Sequence, residues 1–151
     1  MCGIAGVFDT ATGTSADRLA ALAATMAGTL VHRGPDDDGV WVDATAGIGL
    51  GFRRLAIIDL SSAGHQPMRS PAGRYTMVFN GEIYNHGELR RALGPAVRLR
   101  GHSDTEVLLA AMDEWGVEAA LGKSNGMFAL AVFDARTGNL CLARDRLARL
   151  D

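Results

Sequence analysis

The chain has 151 residues, 48% hydrophobic and 21% charged, a balance typical of one compact globular domain. Fifteen basic and seventeen acidic side chains give a net charge of −2, and scattered arginines argue against a nucleic-acid partner. Two cysteines are too few for a disulfide framework, and no segment has the pattern of a signal peptide or membrane span. We therefore expect a single domain over residues 1–151, in the cytoplasm and with no membrane partner.

The first half of the chain predicts strands around one amphipathic helix. Residues 3–8 are an apolar run typical of a buried strand. A helix is predicted to begin after Ser15, a typical N-cap residue, and to continue until Gly34. The remaining elements predicted for this half are strands at 39–43, 47–52 and 54–59 and a loop over 61–73.

The second half predicts a strand over Tyr75–Phe79 that ends in a turn at Asn80-Gly81, because this dipeptide is a common hairpin turn. The further predicted elements are helices at 86–93 and 104–115 and strands at 127–134 and 139–145. Strands occur in groups with helices between the groups, which favours an α+β domain over an alternating one.

Cys2 follows the initiator methionine, so removal of Met1 would make it the N-terminal residue. Its own α-amine could then act as a general base for the thiol, because the two groups have reference pKa values of about 8 and about 8.5. One residue would supply both nucleophile and base. The alternative is a small hydrophobic residue at the start of a buried strand, and the dipeptide alone favours that interpretation.

Six further observations favour a catalytic Cys2 over a structural one. They are sequence segments that occur in this order: MCGIAGVFD, HRGPDDDG, RRLAIIDLSSAGHQPM, FNGEIYNHGELR, SDTEVLLAAMDEWG and NGMFALAVFD. Together they closely resemble the class II glutamine amidotransferase domain, an N-terminal-nucleophile hydrolase, of glutamine-dependent asparagine synthetases. The resemblance implies a four-layer αββα sandwich that hydrolyses glutamine to glutamate and ammonia. The ammonia would supply an asparagine-synthetase-type acceptor reaction.

The resemblance also implies three catalytic residues. Cys2 takes the position of the nucleophile, whose thiolate attacks the side-chain amide carbon of glutamine and forms a thioester. Asn80 and Gly81 match the oxyanion hole, where a side-chain amide and a backbone N–H stabilise the charge that develops on the amide oxygen. An ordinary hairpin turn is the alternative for this dipeptide if it is considered alone.

The resemblance also implies three residues that bind the substrate. Arg54 matches the arginine that binds the α-carboxylate of glutamine, and its neighbour Arg53 is the alternative for that role. Asp104 and Glu82 match positions that receive the ammonium group. Asp104 could also serve only as the N-cap of the helix that follows. The catalytic and substrate-binding side chains are expected to line a single pocket.

No metal site is predicted, because the consecutive residues of HRGPDDDG do not easily converge on one ion. The resemblance implies a structural loop there, and no cofactor in this domain. ATP and Mg²⁺ belong to a synthetase domain that is expected to be absent from this chain. The expected partners are glutamine, a separate or deleted synthetase domain and a second copy of the chain in a homodimer.

Two alternative functions stay open. One is an N-terminal-nucleophile amidase that cleaves another small amide, although Arg54 and Asp104 together favour a free amino acid. The other is a non-catalytic module that binds glutamine or a partner, which retention of Met1 would favour because a blocked amine cannot act as a base. The second cysteine, Cys141, lies in an apolar strand-like run and is predicted to be a buried, inert thiol.

Overall fold

The computed structural model describes residues 2–57 and 61–147. The chain divides into two compact units, one formed by Met1–Ala56 with His65–Pro67 and the other by Ile57–Gly64 with Met68–Asp151. Each unit contains one antiparallel β-sheet with α-helical structure packed against it. The predicted αββα fold consists of two β-sheets, each with helices on one face, and the two units contain these elements. Within the described residues, every helix is too short or too polar to cross a membrane.

The first unit contains a three-stranded sheet and one helix. Its central strand pairs with both neighbours in antiparallel register, so that Gly3 and Asp38 both lie opposite Arg53. The strand order is β1-β3-β2. The bounds are β1 (Gly3–Phe8), α1 (Ala16–Gly28), β2 (Asp37–Asp43) and β3 (Ile48–Arg54).

Helix α1 begins where the sequence predicts, because the Ser15 side chain accepts a hydrogen bond from the backbone N–H of Arg18. The helix buries Leu19, Ala23 and Ala27, the positions that recur at helical spacing. It ends at Gly28 and not at the predicted Gly34. Thr29 closes it, since both its N–H and its hydroxyl donate to the carbonyl of Met26.

The strand predicted over 54–59 is wrong for its described part, because β3 ends at Arg54 and residues 55–57 are irregular. The backbone N–H groups that would continue a ladder have other partners. Leu55 N–H points at the sulfur of Cys2, and Ala56 N–H donates to a carboxylate oxygen of Asp36. The remaining part of that prediction, over 58–59, lies outside the described residues.

The second unit contains a four-stranded sheet in the order β4-β5-β6-β7. Its strands are β4 (Met68–Arg69), β5 (Tyr75–Ile83), β6 (Gly126–Asp134) and β7 (Asn139–Arg144). Its helices are α2 (His86–Leu93), α3 (Asp104–Trp115) and α4 (Val117–Lys123), and a short 3₁₀ turn occupies Ser62–Gly64. Strand β5 and helix α3 share one apolar core, in which Tyr75, Met77, Phe79 and Ile83 meet α3 residues such as Leu108 and Met112.

Three features of this unit differ from the sequence-based prediction. Asn80 and Gly81 do not form a turn, because β5 continues through them and pairs with β6 as far as Ile83. Helix α4 and the short strand β4 were not predicted, since each is brief and depends on packing against the rest of the unit. Cys141 on β7 is half-buried, not buried, and only partly contacts the core.

Candidate active site

Cys2 lies immediately before β1, beside the end of β3. Its Sγ is 3.4 Å from the backbone nitrogen of Leu55 and 3.7 Å from the Leu55 carbonyl oxygen. The guanidinium of Arg33 donates from Nε to the Cys2 carbonyl at 3.3 Å. The thiol is half-buried, so the fold fixes the backbone of this residue while part of it stays accessible.

The first five residues of the HRGPDDDG segment form a loop against the backbone of Arg53 and Arg54, whereas its last three, predicted as part of the loop, begin strand β2 because they pair with β3. A Cβ on Gly34 would be 2.5 to 2.6 Å from backbone atoms of these two residues, which only the absence of a side chain permits. Asp36 N–H donates to the Arg54 carbonyl at 3.0 Å, and the Asp36 carboxylate accepts from Ala56 N–H at 2.9 Å. The loop therefore holds the strand end that carries Arg54.

The three aspartates of the HRGPDDDG segment have three different partners. Asp36 accepts from the backbone of Ala56, Asp37 pairs with His65 at 2.8 Å, and Asp38 lies 3.3 Å from Arg53. Over residues 2–57 and 61–147, histidine, cysteine and carboxylate side chains form no group of three or more that could hold a metal ion. The loop is held in place by these separate contacts.

Arg53 and Arg54 point to opposite faces of β3, since they are consecutive residues of a strand. Arg53 donates to the Gly34 carbonyl at 3.1 Å and pairs with Asp38, so its guanidinium supports the loop. Arg54 is 92% buried, with 8% of its surface exposed. Such burial requires a charged or hydrogen-bonding partner, and the structure gives Arg54 one.

Asn80 lies in the interior of β5 with 6% of its surface exposed. It shares a strand face with Glu82, whereas Phe79, Gly81 and Ile83 lie on the face that packs against α3. Within the part of the chain that the structure describes, the buried Oδ1 of Asn80 has no hydrogen-bond partner. Buried unpaired polar atoms are rare in folded proteins, and this one indicates a position where a ligand could supply the partner.

Gly81 occupies a position that only glycine fits. Its φ is +153°, and an added Cβ would collide with the Met127 carbonyl and with Phe128. The backbone of Phe128 is itself fixed, because it exchanges hydrogen bonds with the N–H and the carboxylate of Asp145 at 2.9 and 3.1 Å. The backbone at Gly81 is therefore rigidly held, as an oxyanion donor must be.

Gly81→Ala is expected to lower the free energy of unfolding by about 3 kcal/mol or more, because neither strand can move aside. The matched control is Gly87→Ala in α2, where an added Cβ has no atom within 4 Å. This control should raise the free energy of unfolding by about 0.5 to 1 kcal/mol. Urea unfolding of both variants checks the pair, and equal effects would contradict the close approach at Gly81.

Asp104 is the first residue of α3 and is almost fully buried, with 5% of its surface exposed. Its Oδ2 accepts from the backbone N–H of Ile83 at 2.7 Å, which holds the carboxylate at the end of β5. Burial raises the pKa of Asp104 above its ordinary value, although hydrogen bonds from Ile83 and Thr105 oppose the shift. Ser103, not Asp104, is the N-cap, because its hydroxyl accepts from the Glu106 N–H.

His86 and Leu55 contribute contacts that sequence reasoning missed. Nδ1 of His86 donates to the Ile83 carbonyl at 2.9 Å, while Asp104 accepts from the N–H of the same residue. The histidine also lowers the pKa of Asp104 through its charge. Leu55 offers its backbone N–H to the Cys2 sulfur. The position of His86, three residues after the end of β5, was a weak indication in the sequence that it could contact this strand end. The contact of Leu55 is made by its backbone, so no side chain in the sequence indicates it.

Within each unit, the structure groups the predicted site residues that the unit contains. Cys2 lies beside the strand end that carries Arg54, through its contacts with Leu55. Asn80, Gly81 and Glu82 are consecutive on β5, and Asp104 is hydrogen-bonded to the residue that follows them. The expectation that all six residues line one pocket stays a prediction.

Comparison with known proteins identifies similar sequences across almost the whole chain. The family described as a glutamine amidotransferase domain matches residues 1–149. Asparagine synthetase [glutamine-hydrolyzing] 1 of Bacillus subtilis is 42% identical over 146 residues, which are 96% of this chain and 22% of that protein. Asparagine synthetase B [glutamine-hydrolyzing] of Escherichia coli is 38% identical over 147 residues, 97% of this chain and 26% of that protein. The chain thus spans about a quarter of these relatives.

A solved structure is similar in fold. It is a glutamine phosphoribosylpyrophosphate amidotransferase from B. subtilis, complexed with ADP and GMP. The similarity has a TM-score of 0.55 at 20% sequence identity and covers 68% of this chain and 24% of that chain. It confirms the predicted α+β fold of the N-terminal-nucleophile hydrolase type.

Proposed function

Because the chain belongs to the glutamine amidotransferase domain family, we propose that it hydrolyses the side-chain amide of glutamine to glutamate and ammonia. The membership confirms the resemblance inferred from the six sequence segments. The observation that carries the proposal is the match of this family to residues 1–149, which include every predicted site residue. The two relatives compared above carry glutamine hydrolysis in their names.

The proposed first step is attack of the Cys2 thiolate on the amide carbon of glutamine. The α-amine of Cys2 takes the thiol proton and later delivers a proton to the departing nitrogen, so that ammonia leaves and a thioester forms. The half-buried sulfur and the fixed backbone of Cys2 support this role. Removal of Met1 is a condition of the mechanism, since only a free amine can act as a base.

In the proposed second step, water attacks the thioester carbonyl with the same amine as general base. The C–S bond breaks, the thiol regains its proton and glutamate is released. In both steps negative charge develops on the carbonyl oxygen, and we assign its stabilisation to the Asn80 amide and the Gly81 N–H. The buried position of Asn80 in β5 and the rigid backbone at Gly81 support this assignment, in which the Asn80 Nδ2 is the side-chain donor.

Recognition of the free amino acid is assigned to charged groups. Arg54 is proposed to bind the α-carboxylate through its planar guanidinium, and Asp104 and Glu82 are proposed to bind the α-ammonium. The Asp104 carboxylate is held at the end of β5 by the backbone N–H of Ile83, the residue after Glu82, and supplies local negative charge there. This charge favours a cationic group over a neutral amide and argues for glutamine over a simple small amide.

The ammonia is proposed to be consumed by an asparagine-synthetase-type reaction in a separate or linked synthetase domain. The names of the two relatives support this acceptor, and so does their length, of which this chain matches about a quarter. ATP and Mg²⁺ are assigned to that synthetase domain and have no role in glutamine hydrolysis. A homodimer of this chain and a location in the cytoplasm stay predictions.

Ammonia release and intact mass together test the proposal. The purified chain is incubated with glutamine, without ATP, and its mass is measured in parallel. We expect ammonia and glutamate in equal amounts from protein that lacks Met1. Protein without Met1 that releases ammonia from other small amides at a similar rate would favour the broader amidase. Absence of turnover together with retained Met1 would contradict the proposal and favour a binding module.

The raised pKa of Asp104 predicts a pH dependence of glutamine binding. An acid whose pKa is raised binds its proton at a higher pH than an ordinary aspartate, and only the ionised form pairs with an ammonium group. Affinity for glutamine should therefore fall as pH decreases, and should begin to fall at a higher pH than an ordinary aspartate would give. Calorimetry on the Cys2→Ala protein measures binding without turnover. In the double variant that adds Asp104→Asn, binding should be weak and should lose this pH dependence, and an unchanged dependence would contradict the assignment.

A further inference from the structure

A small cavity of about 250 Å³ lies in the second unit, away from β5 residues Asn80 to Glu82. Its lining residues are Arg69, Ser70, Pro71, Arg98, Arg100 and Glu106. None of these residues has a role in the proposed hydrolysis of glutamine. Three of the six are arginines, and they come from two segments that are distant in sequence, so the fold brings these arginines to the same cavity.

The charge of this arginine cavity is unbalanced. Glu106 is the carboxylate that lines it, and 3% of the Glu106 side chain is exposed. Both oxygens of Glu106 already accept backbone N–H groups, from Arg100 at 2.6 Å and from Gly101 at 2.8 Å. Arg100 has Glu106 at 3.7 Å, whereas Arg69 and Arg98 have no ion pair with a carboxylate among residues 2–57 and 61–147. The Asp113 carboxylate lies at the edge of the cavity, where it accepts from the Ser70 hydroxyl and the Ala72 N–H, so in the described part of the chain two arginines of the cavity are without an ion pair.

Several contacts hold the cavity in shape before a ligand binds. The Arg69 guanidinium donates from Nη2 to the Gly73 carbonyl at 3.1 Å. Glu106 fixes the backbone at Arg100, which sets where that side chain starts. The Ser70 hydroxyl donates to Asp113 at 2.8 Å and accepts from the Tyr75 N–H at 3.0 Å, so it is not available to a ligand. The guanidinium groups are thus the main donors that the cavity offers.

The size and donor set define the ligand class. A volume of about 250 Å³ is below the range of about 300 to 1,000 Å³ typical of drug-sized ligands. Guanidinium groups bind phosphate in a bidentate manner, and a phosphate dianion can pair with both arginines that lack an ion pair, whereas a single carboxylate carries one charge. We propose that the arginine cavity binds a small anion that carries one phosphate group.

The arginine side chains are near solvent, since 72% of the Arg100 side chain is exposed. Exposed ion pairs contribute little individually, so we expect a Kd for inorganic phosphate on the order of 1 mM. The test is a titration of the ¹⁵N-labelled full chain with sodium phosphate at constant ionic strength, with sodium chloride as the balancing salt. Saturable shifts are expected for the amide and guanidinium N–H signals of Arg69, Arg98 and Arg100.

Arg98→Gln should raise the Kd at least about fivefold, because it removes a bidentate donor and a charge. The matched control is Arg90→Gln, an exposed arginine of the same unit that lines a different cavity, and it should leave the Kd within about twofold. Glycerol 3-phosphate distinguishes the source of the phosphate. Tighter binding than inorganic phosphate identifies a phosphorylated small molecule, and equal binding identifies the free ion.

Three results would overturn the proposal. One is a set of shifts that grows linearly with phosphate and never saturates. Another is an equal loss of affinity in the Arg98 and Arg90 variants, since this would reflect net charge and not a site. The third is saturation by a hexaglutamate peptide without saturation by phosphate, which would instead indicate a surface for an acidic peptide.

Discussion

Cys2→Ala should lower the rate of ammonia release from glutamine by at least about 10⁴-fold, because no other group can form the thioester. Affinity for glutamine should change little, since the thiol is assigned to bond formation and the two charged ends of the substrate are assigned to other residues. The rate is measured with a coupled assay for glutamate, and affinity is measured by calorimetry. Retention of a large fraction of the parent rate would remove Cys2 from the mechanism.

Cys141→Ala is the matched control for this prediction. Cys141 lies on β7 of the second unit, is half-buried like Cys2 and is also a free thiol. Its removal should leave ammonia release near the parent rate. Thermal unfolding of both variants separates loss of chemistry from loss of fold. A loss of activity in the Cys141 variant with an intact fold would show that the choice of nucleophile is wrong.

The sequence predicts the regular parts of this fold because their signals are local. The cap at Ser15 defines the start of α1, and Leu19 and Ala23, two of the apolar positions that recur at helical spacing, lie on its buried face, whereas Met26, a third such position, is exposed. The hairpin of β6 and β7 follows from two apolar runs separated by a polar connection. The backbone hydrogen bonds of these elements form between residues that are near in sequence. The type and the bounds of each element can therefore be predicted from a short stretch of sequence.

The sequence-based prediction is wrong where a distant contact decides the local structure. Asn80-Gly81 is a common turn dipeptide, but β6 pairs with β5 through it and fixes Gly81 against Phe128. The strand predicted beyond Arg54 ends because Cys2 and Asp36 take the backbone N–H groups that a ladder would use. These partners lie many residues away, and the local pattern does not contain them.

The identity of the site residues came from the family resemblance and not from periodicity or spacing. Asp104 alone is consistent with an ordinary helix start, and the Ser103 cap shows how close the two interpretations are. The burial of Asp104 and the shift of its pKa depend on α3 packing against the end of β5. The chemical environment of a site thus depends on the tertiary structure, whereas its residue types can be recognised from the amino-acid sequence.

Arg54→Ala is expected to raise the KM for glutamine about 10- to 100-fold, which is the loss of charge-assisted hydrogen bonds to the α-carboxylate. The effect on kcat should be much smaller, because the carboxylate lies at the opposite end of the substrate from the reacting amide. Arg54→Lys should give an intermediate KM, since lysine keeps the charge but lacks the planar fork. Steady-state kinetics on the three proteins measure this order.

Arg53→Ala is the control that distinguishes the two neighbouring arginines. Arg53 pairs with Asp38 and donates to the Gly34 carbonyl, so its loss should loosen the HRGPDDDG loop and lower thermal stability. Its KM should stay within about threefold of the parent value, because the Arg53 guanidinium contacts Asp38 and Gly34 and is not assigned to the substrate. If the Arg53 variant had the higher KM at an equal folded fraction, carboxylate binding would belong to Arg53 and not to Arg54. Equal KM values in both variants would mean that neither arginine binds the carboxylate selectively.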